Sequence, residues 1–312
     1  MASGLHPDEG RIDDVLRRVA ALTGRRPDGF GRVGGGYTPA LRLRVRLAGG
    51  RSVFAKAAVS GDTADWLRTE YAVYSALGPR RDFLARVEGW SDEGDGDLPV
   101  LLLEDLDPDA GHHWPPPWRS GDVERVRASL DQVYACGPVA PGGLRQMRDL
   151  WERFAGWRDV AQDPAPFLST GLCSRAWLER ALPLLLDAEK RADAKLDGTD
   201  LCHMDTRSDN VCLTADGRAV IVDWNWASIG SRTADLAGWL PSLHAEGGPQ
   251  PESILPGEDA LPALYAGYWA SRAGLPPPPG APRVREVQRF QLSAALPWAA
   301  RALGLSEPDG DG

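Results

Sequence analysis

Three side chains in one short stretch have the types and the spacing to handle a phosphate. In Leu201-Cys202-His203-Met204-Asp205-Thr206-Arg207-Ser208-Asp209-Asn210-Val211-Cys212-Leu213, Asp205 and Asn210 stand five apart, and Asp223 follows Asn210 by thirteen in Val220-Ile221-Val222-Asp223-Trp224. The residues between them alternate as two short strands around Ala215-Asp216-Gly217-Arg218, so a hairpin is expected to fold Asp223 back beside Asn210. A carboxylate and an amide oxygen brought together suit Mg2+, a hard cation that prefers oxygen ligands. Asp205, at the other end of the loop, would face a hydroxyl, orient it and accept its proton. Turn propensity alone can place Asp and Asn in such a loop. It does not produce three matched spacings, and the set fits a phosphoryl-transfer template in which H-x-D-x-x-x-x-N precedes a hairpin that ends in a metal-binding Asp. His203 is read as hydrogen-bonding within the loop rather than carrying protons. Arg207 either pairs with Asp209 or contacts the leaving phosphate.

The complementary parts lie in the first hundred residues. Only three of the 35 basic residues are lysines, Lys56, Lys190 and Lys195. Lys56 falls at the inner end of a strand, where a compact ammonium could reach the α- and β-phosphates of a nucleotide. Glu70, fourteen residues later on a helix, would hold it by an ion pair, with Glu88 and nearby acids as competitors. Phe54 shares a sheet face with Lys56 by the two-residue period and could cover the adenine ring. Backbone groups near Glu104 and Leu106, where Leu101-Leu102-Leu103 leaves a buried strand, could hydrogen-bond adenine.

The elements that must carry these residues are legible from periodicity. Leu41-Arg42-Leu43-Arg44-Val45-Arg46-Leu47 alternates strictly, with four apolar side chains on one face and three arginines on the other. Ala48 to Arg51 turns the chain into a partner strand over Val53–Lys56, and Phe30–Val33 reads as the strand before. Helical spacing covers Ile12–Leu22 and Thr63–Leu77, and a further strand pair brackets Asp92 to Asp97, its second member being Val100–Leu103. Beyond Glu104 helices are expected over residues 122–134, 144–160, 174–196, 234–244, 260–272 and 283–301, with Pro115 to Pro117 and Pro276 to Pro279 in loops. The expectation is an α+β chain: 1–103 a nucleotide-binding antiparallel sheet with one interposed helix, 104–312 a mainly helical part with the catalytic loop and acceptor site.

Composition bounds the partners. The chain has 312 residues, 43% hydrophobic and 25% charged, and a formal charge of -9. That excess of acid disfavours nucleic acid or anionic lipid as a partner. Residues 1–103 are near balance, with 15 basic and 14 acidic side chains, whereas 104–312 carry 20 against 30. Such an acidic second half suits a cationic acceptor. The four cysteines form no C-x-x-C pair and read as buried thiols in a reduced compartment. No stretch is apolar enough for a secretory leader or a membrane span, so a cytoplasmic chain, monomer or homodimer, is expected.

Taken together these segments resemble the aminoglycoside phosphotransferase and choline kinase-like family, a branch of the protein-kinase-like fold. The resemblance runs from Gly34 to Trp239. Asp223-Trp224 where protein kinases carry Asp-Phe-Gly, Met204 where they carry Arg, and Phe54 two before the lysine all favour this branch. Asp235-Leu236-Ala237 is similar to the family's third acid, which helps brace the catalytic loop. The resemblance implies a protein-kinase-like two-lobe fold and an ATP- and Mg2+-dependent transfer to the hydroxyl of a small molecule, an aminoglycoside or related cationic antibiotic among them. In that reading Asp205 is catalytic, Asn210 and Asp223 bind metal, and Lys56, Glu70, Phe54, Glu104 and Leu106 bind nucleotide. Gly35 and Gly36 would cover the phosphates, although Gly34-Gly35-Gly36-Tyr37-Thr38 lacks G-x-G-x-x-G. A metabolic kinase for choline, a sugar or an amino alcohol, a nucleotide-binding regulator without turnover, and a protein kinase are the alternatives. The last lacks an A-P-E-like element after Asp223.

Overall fold

A computed structural model of the chain describes residues 7–34, 39–79, 81–279 and 281–309. Contacts group it into two compact units, residues 1–114 with 212–226 and residues 115–211 with 227–312. This grouping differs from a single break at 103/104, because the hairpin that carries Asp223 is tied to the first unit through its backbone. His113 and Leu213 exchange N–H···O bonds of 2.8 Å each, and the Ile221 N–H donates to the Phe83 carbonyl at 2.8 Å. The Arg218 guanidinium then spans both oxygens of buried Glu104, at 3.0 and 3.1 Å.

In the first unit, β1 (Pro27–Arg32), β2 (Leu41–Leu47), β3 (Ser52–Ala57), β4 (Val87–Ser91) and β5 (Val100–Glu104) form one antiparallel sheet in the order β1-β2-β3-β5-β4. The alternation in β2 sorts as the sequence predicts: Leu41, Leu43, Val45 and Leu47 are buried while Arg42, Arg44 and Arg46 face the other side. A helix that sequence periodicity begins at Ile12 starts earlier, α1 spanning Pro7–Thr23, and its Ile12, Val15 and Val19 cover the apolar face together with Val53, Ala55, Val100 and Leu102. Truncating one of these buried leucines to alanine would cost about 2–5 kcal/mol. The opposite face is therefore left to Phe54 and Lys56, which alternate with the core residues of β3. Helix α2 (Gly61–Leu77) opens on a reciprocal cap between Ser60 and Thr63 and stops at Gly78, whose φ of 75° a side chain would strain.

The second unit is built on α3 (Asp122–Tyr134), α4 (Arg175–Ala192), α5 (Arg232–Ala245), α6 (Ala260–Ala273) and α7 (Val284–Ala302), with shorter helical turns between them. A small sheet places Ser228–Gly230 between Arg145–Gln146, to which it is parallel, and Asp200–Cys202, to which it is antiparallel. Helix α6 is buried along most of its length and packs on α4 and α7. The single helix expected over residues 144–160 is instead broken into Met147–Leu150, Trp151–Phe154 and Trp157–Gln162. The cause is tertiary. Gly156 lies so close to α6 that a Cβ there would stand 2.0 Å from the Gly267 carbonyl oxygen. Only a glycine fits, and the chain bends around it.

All four cysteines are buried and unpaired with one another, and burial pushes the Cys173 and Cys212 thiols up to about 12. They are packing residues. No helix among the described residues is long and apolar enough to cross a membrane.

Candidate active site

Lys56 is the lysine of the first unit. Its position in β3, between buried Ala55 and Ala57, turns it away from the α1 side and leaves it only 7% exposed. Its Nζ donates to Glu70 Oε2 at 2.6 Å and to Asp223 Oδ1 at 2.8 Å. Burial pulls the ammonium pKa down, but the two carboxylates outweigh that and leave it raised. Glu70, on α2 and 1% exposed, is pushed up by burial against the pull of Lys56. Glu88, the competitor for this role, instead pairs with Arg51. Phe54 stands half-buried two residues before Lys56 on the same face.

Asp223 is fixed by the aromatic residue after it. Trp224 is fully buried, donates from Nε1 to the Ile221 carbonyl at 3.0 Å, and lies 6.2 Å from the Phe83 ring. Trp226 approaches Trp66 of α2 at 6.4 Å. The segment after the hairpin thus packs on the helix that supplies Glu70, and Lys56, Glu70 and Asp223 become one assembly. The other nucleotide-side expectations sit nearby with their polar groups in use. Glu104 takes Arg218 and Arg86 on its side chain, its N–H donates to the Arg86 carbonyl, and the Leu106 carbonyl accepts from Trp114 Nε1 at 3.0 Å. Gly35 and Gly36 lie outside the described residues.

In the second unit, the loop of residues 203–210 presents Asp205. Asn210 Nδ2 donates to the Asp205 carbonyl at 2.8 Å and to its Oδ2 at 3.2 Å, so the two residues expected to act together are in contact. Arg207 makes the expected local ion pair and adds a second one with Asp205. It spans the Asp209 carboxylate at 2.9 and 3.0 Å and reaches Asp205 Oδ1 at 2.5 Å. His203 is buried, and its Nδ1 accepts from the Asp205 N–H at 3.3 Å, a loop-shaping bond. Asp235, in the first turn of α5, accepts the N–H groups of His203 at 3.2 Å and Met204 at 2.6 Å. Burial raises the Asp235 carboxyl to about 6, with those two N–H donors opposing the shift.

Backbone strain collects at the same places. Among the described residues, Met204 and Asp223 are the two non-glycine residues with positive φ, each at 68°. One immediately precedes Asp205 and the other is the expected metal ligand. A left-handed conformation at such a residue costs about 1–3 kcal/mol and persists where its surroundings over-determine it. Asp235 supplies that restraint at Met204, and Lys56 with Trp224 supplies it at Asp223.

The donor chemistry fits magnesium. Asn210 turns its amide nitrogen to Asp205, which directs its oxygen elsewhere, and in the first unit Asp223 carries a hard carboxylate oxygen. Among the described residues no cluster of three or more His, Cys, Asp or Glu side chains forms a self-sufficient cage. Three further residues escaped sequence reasoning: Arg218 on Glu104, Glu246 on Ser208 of the loop, and Trp118, which donates to Glu246. Their partners are 114, 38 and 128 residues away in sequence, so no local pattern announces them.

Comparison with known proteins places this arrangement. Choline kinase LicA from Streptococcus pneumoniae has the same fold, with a TM-score of 0.56 and 12% identity over 95% of this chain and 99% of that one. A thermostable form of the aminoglycoside phosphotransferase APH(4)-Ia, solved with ADP and hygromycin B, gives 0.55 and 15% over 93% and 97%. A protein assigned as a fructosamine-3-kinase from Thermobifida fusca gives 0.52 and 21% over 93% and 99%. No curated protein matches in sequence. The profile of the phosphotransferase enzyme family matches residues 30–287, well over half of the chain. The protein therefore belongs to the phosphotransferase enzyme family and is a small-molecule kinase.

Proposed function

We propose that this kinase uses ATP and Mg2+ to phosphorylate a hydroxyl of a small cationic molecule, an aminoglycoside or related basic antibiotic being the leading class. The observation that carries the nucleotide half is the buried Lys56 ammonium held by Glu70 and Asp223. An ammonium fixed in this way is a preorganised site for the phosphate oxygens, with little left to reorganise on binding. Support for a cationic acceptor comes from the 30 acidic against 20 basic residues in 104–312. Two of the solved relatives are named for choline and for an aminoglycoside, both cations.

In this mechanism Lys56 neutralises charge on the bound triphosphate, and Glu70 keeps it in place. Asn210 and Asp223 would hold Mg2+, which supplies charge neutralisation of the phosphates when bound. Asp205 orients the acceptor hydroxyl for in-line attack and accepts its proton. Arg207, in contact with Asp205 and Asp209, keeps a positive charge at the loop where phosphoryl charge develops. Positioning and electrostatics supply most of the acceleration.

The test is acceptor-dependent release of ADP across a panel of aminoglycosides, choline, amino sugars and amino alcohols, with the product identified by mass as the monophosphate. Turnover on an aminoglycoside supports a resistance role, and turnover confined to choline or a sugar reassigns the enzyme to metabolism. Asp205→Asn should lower transfer about 100-fold or more while nucleotide binding holds. Near-normal turnover of that variant would remove Asp205 from its role.

A further inference from the structure

Helix α5 touches the catalytic loop at both of its ends. At its start Asp235 receives the N–H groups of His203 and Met204, just before Asp205. Immediately after its last residue, Glu246 reaches the other flank. Glu246 Oε1 accepts the Ser208 hydroxyl at 2.5 Å, and Glu246 Oε2 accepts Trp118 Nε1 at 2.9 Å. Ser208 is buried and opens the single turn Ser208–Asn210, whose last residue donates to Asp205. The Trp118 ring in turn lies 5.9 Å from Trp239 of α5, so the second donor to Glu246 is anchored on the helix that precedes it. A helix of 14 residues is about 21 Å long, and it carries one carboxylate for each flank of a loop whose working residue lies between them.

We propose that Glu246 is a positioning residue, the second clamp by which α5 fixes the turn carrying Asn210 and, through Asn210, the Asp205 carboxylate. The inference rests on the phosphotransfer reading of Asp205 and Asn210. It assigns Glu246 no contact with the acceptor: both carboxylate oxygens already have a donor from this chain, one from the loop and one from Trp118. Removing the carboxylate would leave the Ser208 hydroxyl and the Trp118 N–H without their acceptor and free the turn to shift. A displacement of about 1 Å in a positioning group can cost on the order of 100-fold in rate.

Glu246→Ala, Glu246→Gln, Ser208→Ala and the Glu246→Ala/Ser208→Ala double variant separate this role from its rivals. Glutamine can accept from Trp118 through its oxygen and donate to the Ser208 hydroxyl through its amide, so it preserves the clamp without the charge. In the alanine variant kcat should fall about 10- to 100-fold with the acceptor KM within about 3-fold. Glu246→Gln should recover most of kcat, and the double variant should be no slower than the worse single one, since one contact is lost in each. Amide hydrogen exchange of the 201–213 segment, followed without substrate, should quicken about 10-fold in Glu246→Ala and Ser208→Ala and stay near wild type in Glu246→Gln. Unchanged exchange in Glu246→Ala overturns the clamp. So does a glutamine variant as impaired as the alanine one with the loss in acceptor KM, which would make Glu246 a direct ligand of a cationic group. Absence of transfer to every acceptor by the wild type would instead count against the functional reading, and the exchange measurement would still decide the clamp.

Discussion

Glu70 and Glu104 of the first unit and Asp235 and Glu189 of the second are buried acids held by different means, although the second unit also pairs one buried acid, Asp122, with Arg125. In the first, Glu70 and Asp223 share the Lys56 ammonium, and Glu104 takes two guanidinium groups, Arg218 and Arg86. In the second, Asp235 is held by the backbone N–H groups of His203 and Met204, and Glu189 by that of Trp157 at 2.9 Å. Charge compensation by a side chain opposes the rise that burial imposes, as Lys56 does for Glu70, and leaves a cation available to a polyanionic ligand. N–H donors orient a carboxylate without neutralising it, and burial then raises Asp235 to about 6 and Glu189 to about 7. The first scheme suits a place where phosphate is to be received. The second suits a scaffold that must aim a loop.

The largest effect should come from breaking the first scheme. Lys56→Met leaves Glu70, 1% exposed, without its ammonium, and orphaning one member of a buried pair costs about 3–5 kcal/mol. Transfer should fall at least about 100-fold, since the preorganised charge is gone. A second change, Glu70→Leu in the methionine background, should return much of the lost stability in urea unfolding while activity stays lost. Equal unfolding midpoints for the single and double variants would show that Glu70 does not depend on Lys56, and the contrast between the units would lose its basis.

The pH response separates two single acids, because burial raises Asp235 while Arg18 lowers Asp97, and the two give slopes of opposite sign. Asp235 has a folded value of about 6 against an ordinary 3.8. Between those values the folded chain keeps a proton that the unfolded chain has released, so stability falls as pH rises from about 4 to about 6 and levels off above. A carboxyl raised that far gives up about 3 kcal/mol across the window. Asp235→Asn should cost about 1–3 kcal/mol at the low end of that window, because the amide cannot accept both N–H groups as a carboxyl does. Its disadvantage should shrink as pH rises, since asparagine has no proton to lose. In the first unit Arg18 holds Asp97 well below the usual carboxylate range, with N–H donors assisting. That contribution is present above about pH 4 and lost as pH falls below it, so Asp97→Asn should destabilise at neutral pH and cease to matter in acid. Urea midpoints of the three proteins across the acidic and neutral range read both slopes, and parallel curves would refute the assignment.

The parts of this comparison that are legible in the sequence are those with local periodicity or fixed spacing. The alternation of Leu41 to Leu47 locates a strand to the residue, and the same two-residue period sets Lys56 and Phe54 on one face. Asp205, Asn210 and Asp223 declare themselves by spacing, and Asp235 by resemblance. What stays hidden is decided between distant segments. Gly156 ends a helix because α6 presses on it, and nothing in the neighbouring sequence records that pressure. The contact of Ser208 with Glu246 joins residues 38 apart, and that of Glu104 with Arg218 joins residues 114 apart. Each of those acids looks like an ordinary solvated charge until the partner is placed. Helix α1 is recognisable as amphipathic, but that it covers the β2 face follows only from the three-dimensional packing.

The smallest test compares the helix starts that carry the two acids. Ser60 caps α2, the helix of Glu70, in a reciprocal arrangement: its hydroxyl accepts the Thr63 N–H at 3.3 Å, while Thr63 Oγ1 accepts the N–H groups of Val59 and Ser60 at 2.9 and 2.8 Å. Ser231 caps α5, the helix of Asp235, by one longer bond from the Ala234 N–H at 3.4 Å. Losing a cap costs about 1 kcal/mol, and Ser60→Ala also disturbs the return bonds of Thr63, so it should be the more costly of the pair. The kinetic signatures should diverge even where stabilities are close. Ser60→Ala loosens the helix that positions Lys56 through Glu70 and should raise the ATP KM by about 2- to 5-fold with kcat nearly unchanged. Ser231→Ala loosens the turn that holds His203 and Met204, so its loss should appear in kcat and leave the ATP KM alone. A common pattern in both variants would mean that the caps act only on global stability, and that α2 and α5 do not serve separate halves of the reaction.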